Sequence, residues 1–385
     1  MKVLQLGKFY PILGGVEKVM RDLTGGLSAR GIDCDMLCAK LPADAIDKKD
    51  RLFSEENSHR TIIHVNPPFG RIIMVPALAK KAGTMIAPSM IRYLRKHREE
   101  YDLIHIHHPD PMAALALRLS GFKGHVVLHW HSDIVSQRML LPLYRPLQNW
   151  LIRRSDTIIG TSPVYLQYSP YLESVQNKCT AIPIGILPLK PAPTKVQEFQ
   201  SRYPGKIIVF SVGRLVPYKG MEYLIEAAAT LPDCFHVVIG GEGPLKQQLQ
   251  TMIHKLDLHS RVTLLGRIPD EDLPSWFDAC DIFVLPSIMK TEAFGIVQIE
   301  AMSLGKPVVT TDIPGSGVSW VNVEDISGKH AFPADAKALA LAIINTARHQ
   351  QQLGHGAKQL FQERYQLSTM IDKTIQLYEK TLNNR

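Results

Sequence analysis

From residue 206 onward, short β-branched runs alternate with segments of helical period: KIIVFSVGRL, MEYLIEAAATL, FHVVIGGEGP, QQLQTMIHKL, RVTLLGRI and DIFVLPS follow one another. A chain of this kind folds as a parallel sheet with helical crossovers, because parallel strands cannot be joined by tight turns. The first half repeats the pattern. VLQLG leads through the loop FYPILGG to VEKVMRDLTGGLSARG, where Val16, Val19, Leu23 and Leu27 recur at helical spacing. DLIHIHH, GHVVLHWH and DTIIGTSP read as buried strands whose polar residues gather at their C-terminal ends. Those ends are where open parallel sheets bind ligands.

A proline-rich stretch, IPIGILPLKPAPTK at 182–195, separates the halves. The expected organisation is α/β, with two doubly wound domains in tandem, 1–185 and 186–365, facing a cleft, and a helical segment at about 366–385 crossing back to the first. With 385 residues, 45% of them hydrophobic, the chain can bury two cores of ordinary size.

Several classes are set aside by composition. The opening MKVLQLGK lacks the apolar core of a signal peptide, and RIIMVPALAKKAGTMIAPSMIRYL is interrupted by Lys80, Lys81 and prolines, so no transmembrane helix is expected. Cys34, Cys38, Cys179, Cys234 and Cys280 are odd in number and have no C-x-x-C spacing, which points to a reducing, cytoplasmic setting. Residues 1–185 hold 24 Lys and Arg against 16 Asp and Glu, while residues 186–385 hold 20 of each, so the whole net charge of +8 sits in the first half. A sequence pI near 9.1 admits a nucleic-acid partner, but the basic half has no aromatic-basic recognition motif.

The stretch EAFGIVQIE, residues 292–300, sets two carboxylates around a short apolar run. Eight helical steps of 1.5 Å would separate Glu292 from Glu300 by roughly 12 Å, about the distance from a sugar ring to the ribose of a nucleotide sugar. Phe294, Val297, Ala301 and Leu304 recur at helical spacing, Gly305 reads as the C-terminal cap, and Pro307 leads into the next strand, which puts the helix start near Gly295. The unpaired N–H groups of that start favour a phosphate. Alone, the pair also reads as a solvated helix with two unrelated acids.

Arg214 and Lys219 lie in the loop VGRLVPYKG, where two fixed cations could hold a diphosphate leaving group without a metal. GGEGP at 240–244 has small residues that let backbone approach a phosphate, and Gly14 and Gly15 precede a helix in the first half. HWHSD puts His131 at the end of a strand. Metal binding by His129 and His131, or by His105, His107 and His108, lacks an obvious carboxylate partner, so no metal is expected. Of two D-x-D spellings, Asp33 with Asp35 falls in a strand-like segment and Asp270 with Asp272 opens a helix. Neither resembles a metal-sugar loop.

Taken together, Arg214 and Lys219, the GGEGP turn, the E-x7-E pair in EAFGIVQIEAMSLGKPVV, the N-terminal Gly-Gly loop and HWHSD resemble glycosyltransferase family 4, retaining enzymes of the GT-B fold. The resemblance runs over nearly the whole chain. It implies that Arg214 and Lys219 bind the donor diphosphate, Glu300 the ribose hydroxyls and Glu292 the transferred sugar. Phe294, Gly295 and Ile296 would form the donor-binding turn at the helix start. His131 would serve the sugar and acceptor, Gly14 and Gly15 would close on the phosphates, Gly241 and Gly243 would support the nucleotide, and Arg267 and Ile268 would sit by the base.

One departure stands out. Where the family often has Asn-Gly-x-Asp, this chain has IPIGIL, with Ile184 and Leu187 in the polar places. The implied activity is metal-independent hexosyl transfer, with no cofactor, from a GDP- or UDP-linked sugar. Mannose is favoured, because HWHSDIV with IPIGI resembles enzymes of lipopolysaccharide and capsule assembly. A UDP-hexose transferase, and a non-catalytic nucleotide-sugar-binding scaffold, are the alternatives. A nicotinamide dehydrogenase is disfavoured because LGKFYPILGG lacks G-x-G-x-x-G. The basic segments RIIMVPALAKKAG, PSMIRYLRKHR and RMLLPLYRPLQNWLIRR suggest an anionic membrane surface at the inner face of the plasma membrane and a lipid-linked oligosaccharide acceptor.

Overall fold

The computed structural model describes residues 1–10, 14–40, 61–81, 84–134 and 141–383. Part of the FYPILGG loop, the end of RIIMVPALAKKAG and the start of RMLLPLYRPLQNWLIRR lie outside the described residues. The chain divides into two compact units, Met1–Ile184 with Leu367–Arg385, and Gly185–Gln366.

In the first unit the strands are β1 (Lys2–Tyr10), β2 (Asp33–Lys40), β3 (Ile62–Asn66), β4 (Phe69–Pro76), β5 (Ala79–Lys81), β6 (Thr84–Ile86), β7 (Leu103–His108), β8 (His125–Trp130), β9 (Thr157–Gly160) and β10 (Cys179–Ala181). Eight of them form one sheet in the order β10-β9-β8-β7-β1-β2-β4-β3, while β5 and β6 form a separate antiparallel pair. All neighbours in the large sheet run parallel except β3, which lies antiparallel on β4 at the edge. The parallel strands are buried on both faces, as their β-branched composition demands: Ile104, Val126, Val127 and Ile158 are each fully buried.

The second unit contains β11 (Ile207–Val212), β12 (Phe235–Gly240), β13 (Val262–Gly266), β14 (Ile282–Leu285), β15 (Val308–Thr311) and β16 (Gly328–Ala331). They form one all-parallel sheet in the order β13-β12-β11-β14-β15-β16. The order reverses between β11 and β14, and the crevice beyond the C-terminal ends of such a strand pair is where doubly wound sheets take their ligands.

Three expectations need correction. The segment RIIMV is core rather than membrane-facing, because Ile72, Ile73, Met74 and Val75 are all buried within β4. The helix of EAFGIVQIE is shorter than the stretch, running Ile296–Ser303, so only the last four of the eight steps from Glu292 to Glu300 are helical and the 12 Å ruler does not apply. Its exposed side is also narrower than a solvated amphipathic helix would have: every residue from Gln298 to Ser303 is buried. Its end follows expectation, with Gly305 in the left-handed region (φ 73°) and the N–H groups of Gly305 and Lys306 donating to the carbonyls of Met302 and Ala301.

The helix Leu367–Asn383 belongs to the first unit and buries Met370, Ile371, Thr374, Leu377 and Tyr378 there. No described helix is long and apolar enough to cross a membrane. At the altered IPIGIL segment, Ile184 is buried while Leu187 is 69% exposed, so only the first of the two apolar residues has gained a packed environment.

Candidate active site

The loops leaving β11 and β14 meet at the point where strand order reverses. Lys219 closes a short turn, Pro217–Lys219, after β11, and its stem packs beneath Gly213. Its Nζ donates to Glu292 Oε2, and both side chains are almost buried, 10% and 12% exposed. Ser287 Oγ, from the loop after β14, donates to the same carboxylate oxygen at 3.0 Å. The backbone of Glu292 is held too, its N–H donating to Met289 O and its carbonyl accepting from Ser316 Oγ. The carboxylate is therefore held by two donors on one oxygen and its backbone by two further bonds. Arg214 is different: it is exposed, and its Nη2 donates to Tyr218 Oη at 3.3 Å. One cation is preorganised and the other is left to turn toward an anion.

Three residues after Glu292 the chain enters its helix through Gly295, with φ 74° and no side-chain cap. A Cβ at that position would lie 2.5 Å from Leu285 Cδ2, so both the backbone angle and the strand beneath require glycine. The first N–H groups of Ile296–Ser303 thus begin beside the Lys219–Glu292 pair. The Phe294 ring is turned inward, 3% exposed and edge-on to Tyr365, so Phe294 offers a ligand only its backbone. Glu300 lies one turn into the helix and is 7% exposed.

The GGEGP turn follows β12 and is laced to the loop after β11: Leu215 N–H donates to Glu242 O at 2.9 Å and Leu245 N–H to Leu215 O at 3.1 Å. A Cβ on Gly243 would come within 2.4 Å of Leu215 O, and one on Gly241 (φ 137°) within 1.8 Å of Gly213 O. The small residues let two loops approach each other, which sets the position of Arg214 and Lys219. Gly241→Ala is expected to cost at least ~1–3 kcal/mol of stability through backbone strain and this collision, read as a lowered denaturation midpoint. Beyond β13, Ile268 packs its Cδ1 against Gly240, and the exposed Arg267 donates its backbone N–H to Glu242 Oε1 at 3.3 Å.

In the first unit, Gly14 is the extended N-cap and Gly15 the first residue of the helix Gly15–Ala29, which follows β1. His131 is the first residue after β8 and is 6% exposed. Its turn is pinned by Asp133, which accepts from Trp130 Nε1 at 2.9 Å and Ser169 Oγ at 2.7 Å. Burial, with His129 adding, pushes the His131 imidazole well below its ordinary pKa and holds it neutral. Around it, His105, His107 and His129 bring three ring nitrogens within 4.8 Å of one another. These rings are stacked at 10°, 18° and 28°, so their in-plane lone pairs run side by side instead of converging on an ion, and both nitrogens of His107 already have partners. The two D-x-D spellings are structural: Asp35 is buried and bound by Arg71, and Asp272 by Lys195.

Comparison with known proteins identifies the family. Residues 13–186 match the family described as Glycosyltransferase Family 4 and residues 194–359 that described as glycosyl transferases group 1. The D-rhamnosyltransferase WbpZ of Pseudomonas aeruginosa is 30% identical over 360 residues, 91% of this chain and 88% of that protein. The chain is a family 4 glycosyltransferase. Another relative of this glycosyltransferase, the O-antigen chain mannosyltransferase C of Escherichia coli, is 29% identical over 394 residues, the whole of both chains. Among solved structures, Anabaena Alr3699/HepE in complex with UDP superimposes with a TM-score of 0.77 at 20% identity, covering 99% of this chain and 100% of that one. Sucrose-phosphate synthase from Thermosynechococcus elongatus gives 0.75 at 22%, covering 99% of each. The fold is GT-B.

Ser287, Ser316 and Tyr218 were not singled out from the sequence. Only Ser287 left a signal, as the polar residue just past the C-terminal end of the DIFVL strand.

Proposed function

We propose that this glycosyltransferase moves a hexose, mannose in the first instance, from a nucleoside diphosphate sugar to a lipid-linked glycan, with the anomeric configuration retained. The reading rests on one observation: Lys219 and Glu292 are held together beside an uncapped helix start at the point where strand order reverses. Lys219, Arg214 and the N–H groups after Gly295 are suited to the departing diphosphate, and Glu292 to hydroxyls of the transferred sugar. Glu300 takes the ribose, Gly241 and Gly243 place the phosphate loop, Ile268 and Arg267 border the base, and His131 with Gly14 and Gly15 serves the sugar and phosphates.

In the reaction the bond from the anomeric carbon to the phosphate oxygen breaks and one to the acceptor oxygen forms on the same face. The acceptor proton passes to the departing phosphate, so no protein nucleophile is used. With protein cations neutralising the leaving group, neither a metal nor a cofactor is assigned a step.

Mannose is favoured by the relatives named for O-antigen mannosyl and D-rhamnosyl transfer, which also favour lipopolysaccharide O-antigen, capsule or exopolysaccharide assembly. A UDP-hexose is the second reading, supported by a structural neighbour captured with UDP-glucose. Peripheral attachment to the inner face of the plasma membrane is supported by the basic first 185 residues and by the helix Leu141–Arg154, which presents Leu143, 84% exposed, with Arg145 and Arg153. No nucleic-acid partner is proposed.

The test is transfer itself. Purified enzyme is given GDP-mannose or UDP-glucose with liposomes carrying a lipid-linked acceptor glycan, in the presence and absence of EDTA. Sugar joined to the lipid with its anomeric configuration retained and undiminished by EDTA is expected. Donor binding without turnover would leave the scaffold, and an inverted product or EDTA-abolished activity would overturn the mechanism.

A further inference from the structure

A chain of buried hydrogen bonds runs through the first unit to His131. Gln5, fully buried on β1, donates through Nε2 to Tyr378 Oη at 3.0 Å, and its Oε1 lies 2.8 Å from His107 Nε2. His107 Nδ1 lies 2.8 Å from His131 Nε2, and Tyr378 Oη also meets His105 Nδ1. Tyr378 comes from the helix Leu367–Asn383, so the chain begins 373 residues away from Gln5 in sequence.

We infer that Gln5 and His107 are positioning residues that hold His131 as the tautomer protonated on Nε2, leaving Nδ1 bare to accept from a hydroxyl. The proton assignments follow in order. The Gln5 carbonyl oxygen can only accept, so His107 Nε2 must carry hydrogen. His107 is fully buried and neutral, so its Nδ1 is then a lone pair. A lone pair there requires His131 Nε2 to be the donor. At the other end, the Tyr378 hydroxyl accepts from Gln5 and donates to His105 Nδ1.

The direction of the whole chain is set by the Gln5 amide. Its NH2 group faces Tyr378 Oη and the Cys34 sulfur at 3.9 Å, and its oxygen faces His107 Nε2. That Nδ1 meets a sugar hydroxyl rests on the proposed role of His131 in transfer. The tautomer does not.

Nitrogen-15 spectra of the histidine-labelled full chain, with His131 assigned by comparison to His131→Gln, read the tautomer directly. The wild type is expected to show His131 protonated on Nε2 near neutral pH. Gln5→Met, which removes the acceptor, should give a mixture. Protonation of His131 on Nδ1 in the wild type, or an unchanged tautomer in Gln5→Met, overturns the inference. If Gln5→Met does not fold, the wild type still decides it, since His131 protonated on Nδ1 there contradicts the chain. A mixed tautomer in Gln5→Met with an undiminished transfer rate would support the chain and remove His131 from the transfer mechanism.

Discussion

Lys219→Ala is expected to lower kcat by roughly 10²- to 10³-fold, the size seen when one preorganised donor to a developing charge is removed. Two things are lost at once. The ammonium that would meet the leaving diphosphate disappears, and Glu292, 12% exposed, keeps the Ser287 hydroxyl on its Oε2 but loses its cation. Lys219→Arg should not rescue. The lysine stem packs against Gly213, and a guanidinium presents its donors in a rigid planar fork where the ammonium is a compact point charge. Steady-state kinetics alongside the thermal midpoint separate the chemical loss from a folding loss. A folded Lys219→Ala enzyme within a few-fold of wild type would remove Lys219 from the site.

The second large effect is acid lability. His105, His107, His108, His129 and His131 are all buried, and burial pushes each below its ordinary value, His108 and His129 to about 3. Their pKa values are lowered in the folded state, so between those values and about 6.5 the unfolded chain binds the extra protons. The stability these neutral rings allow is complete above about pH 6.5 and is lost as pH falls through it. Each group costs about 1.4 kcal/mol per pH unit below that point, so five together remove about 7 kcal/mol by pH ~5.5. That is comparable to the whole stability of a typical domain. Urea titrations at pH 7.5 and 5.5 test it, and a denaturation midpoint unchanged between them would contradict neutral burial of the cluster.

Both sheets were legible because parallel strands covered on both faces must be short β-branched runs, and because Gly and polar residues mark where each run ends. Strands β3, β10, β16 and the β5–β6 pair were not, since strands of three to five residues have no clean period, and neither was β4, whose apolar run beside basic residues reads equally as a membrane-facing segment. Within the site, Glu292 and Lys219 were legible as charged residues in loops after strands. Their direct contact was not, because 73 residues separate them and only the adjacency of β11 and β14 brings their loops together. The small residues of GGEGP point in the sequence to a phosphate, while the close approach seen in the structure is to the Gly213–Leu215 backbone, which only the fold brings near. Tyr378 left no signal at all: a tyrosine on an amphipathic helix looks like core until its hydroxyl is seen between Gln5 and His105.

The return of Leu367–Asn383 to the first unit makes the second unit, in chain order, an insertion within the first. A ribosome making this chain therefore finishes the entire Gly185–Gln366 unit before it supplies the helix that covers Gln5 and His105. The later half has all its own residues in hand when it folds, while the earlier half must wait with a polar histidine face uncovered. The order in which the two units can be completed is thus the reverse of the order in which they begin, and Thr381, late in that helix, meets Thr157 of β9 at 3.2 Å.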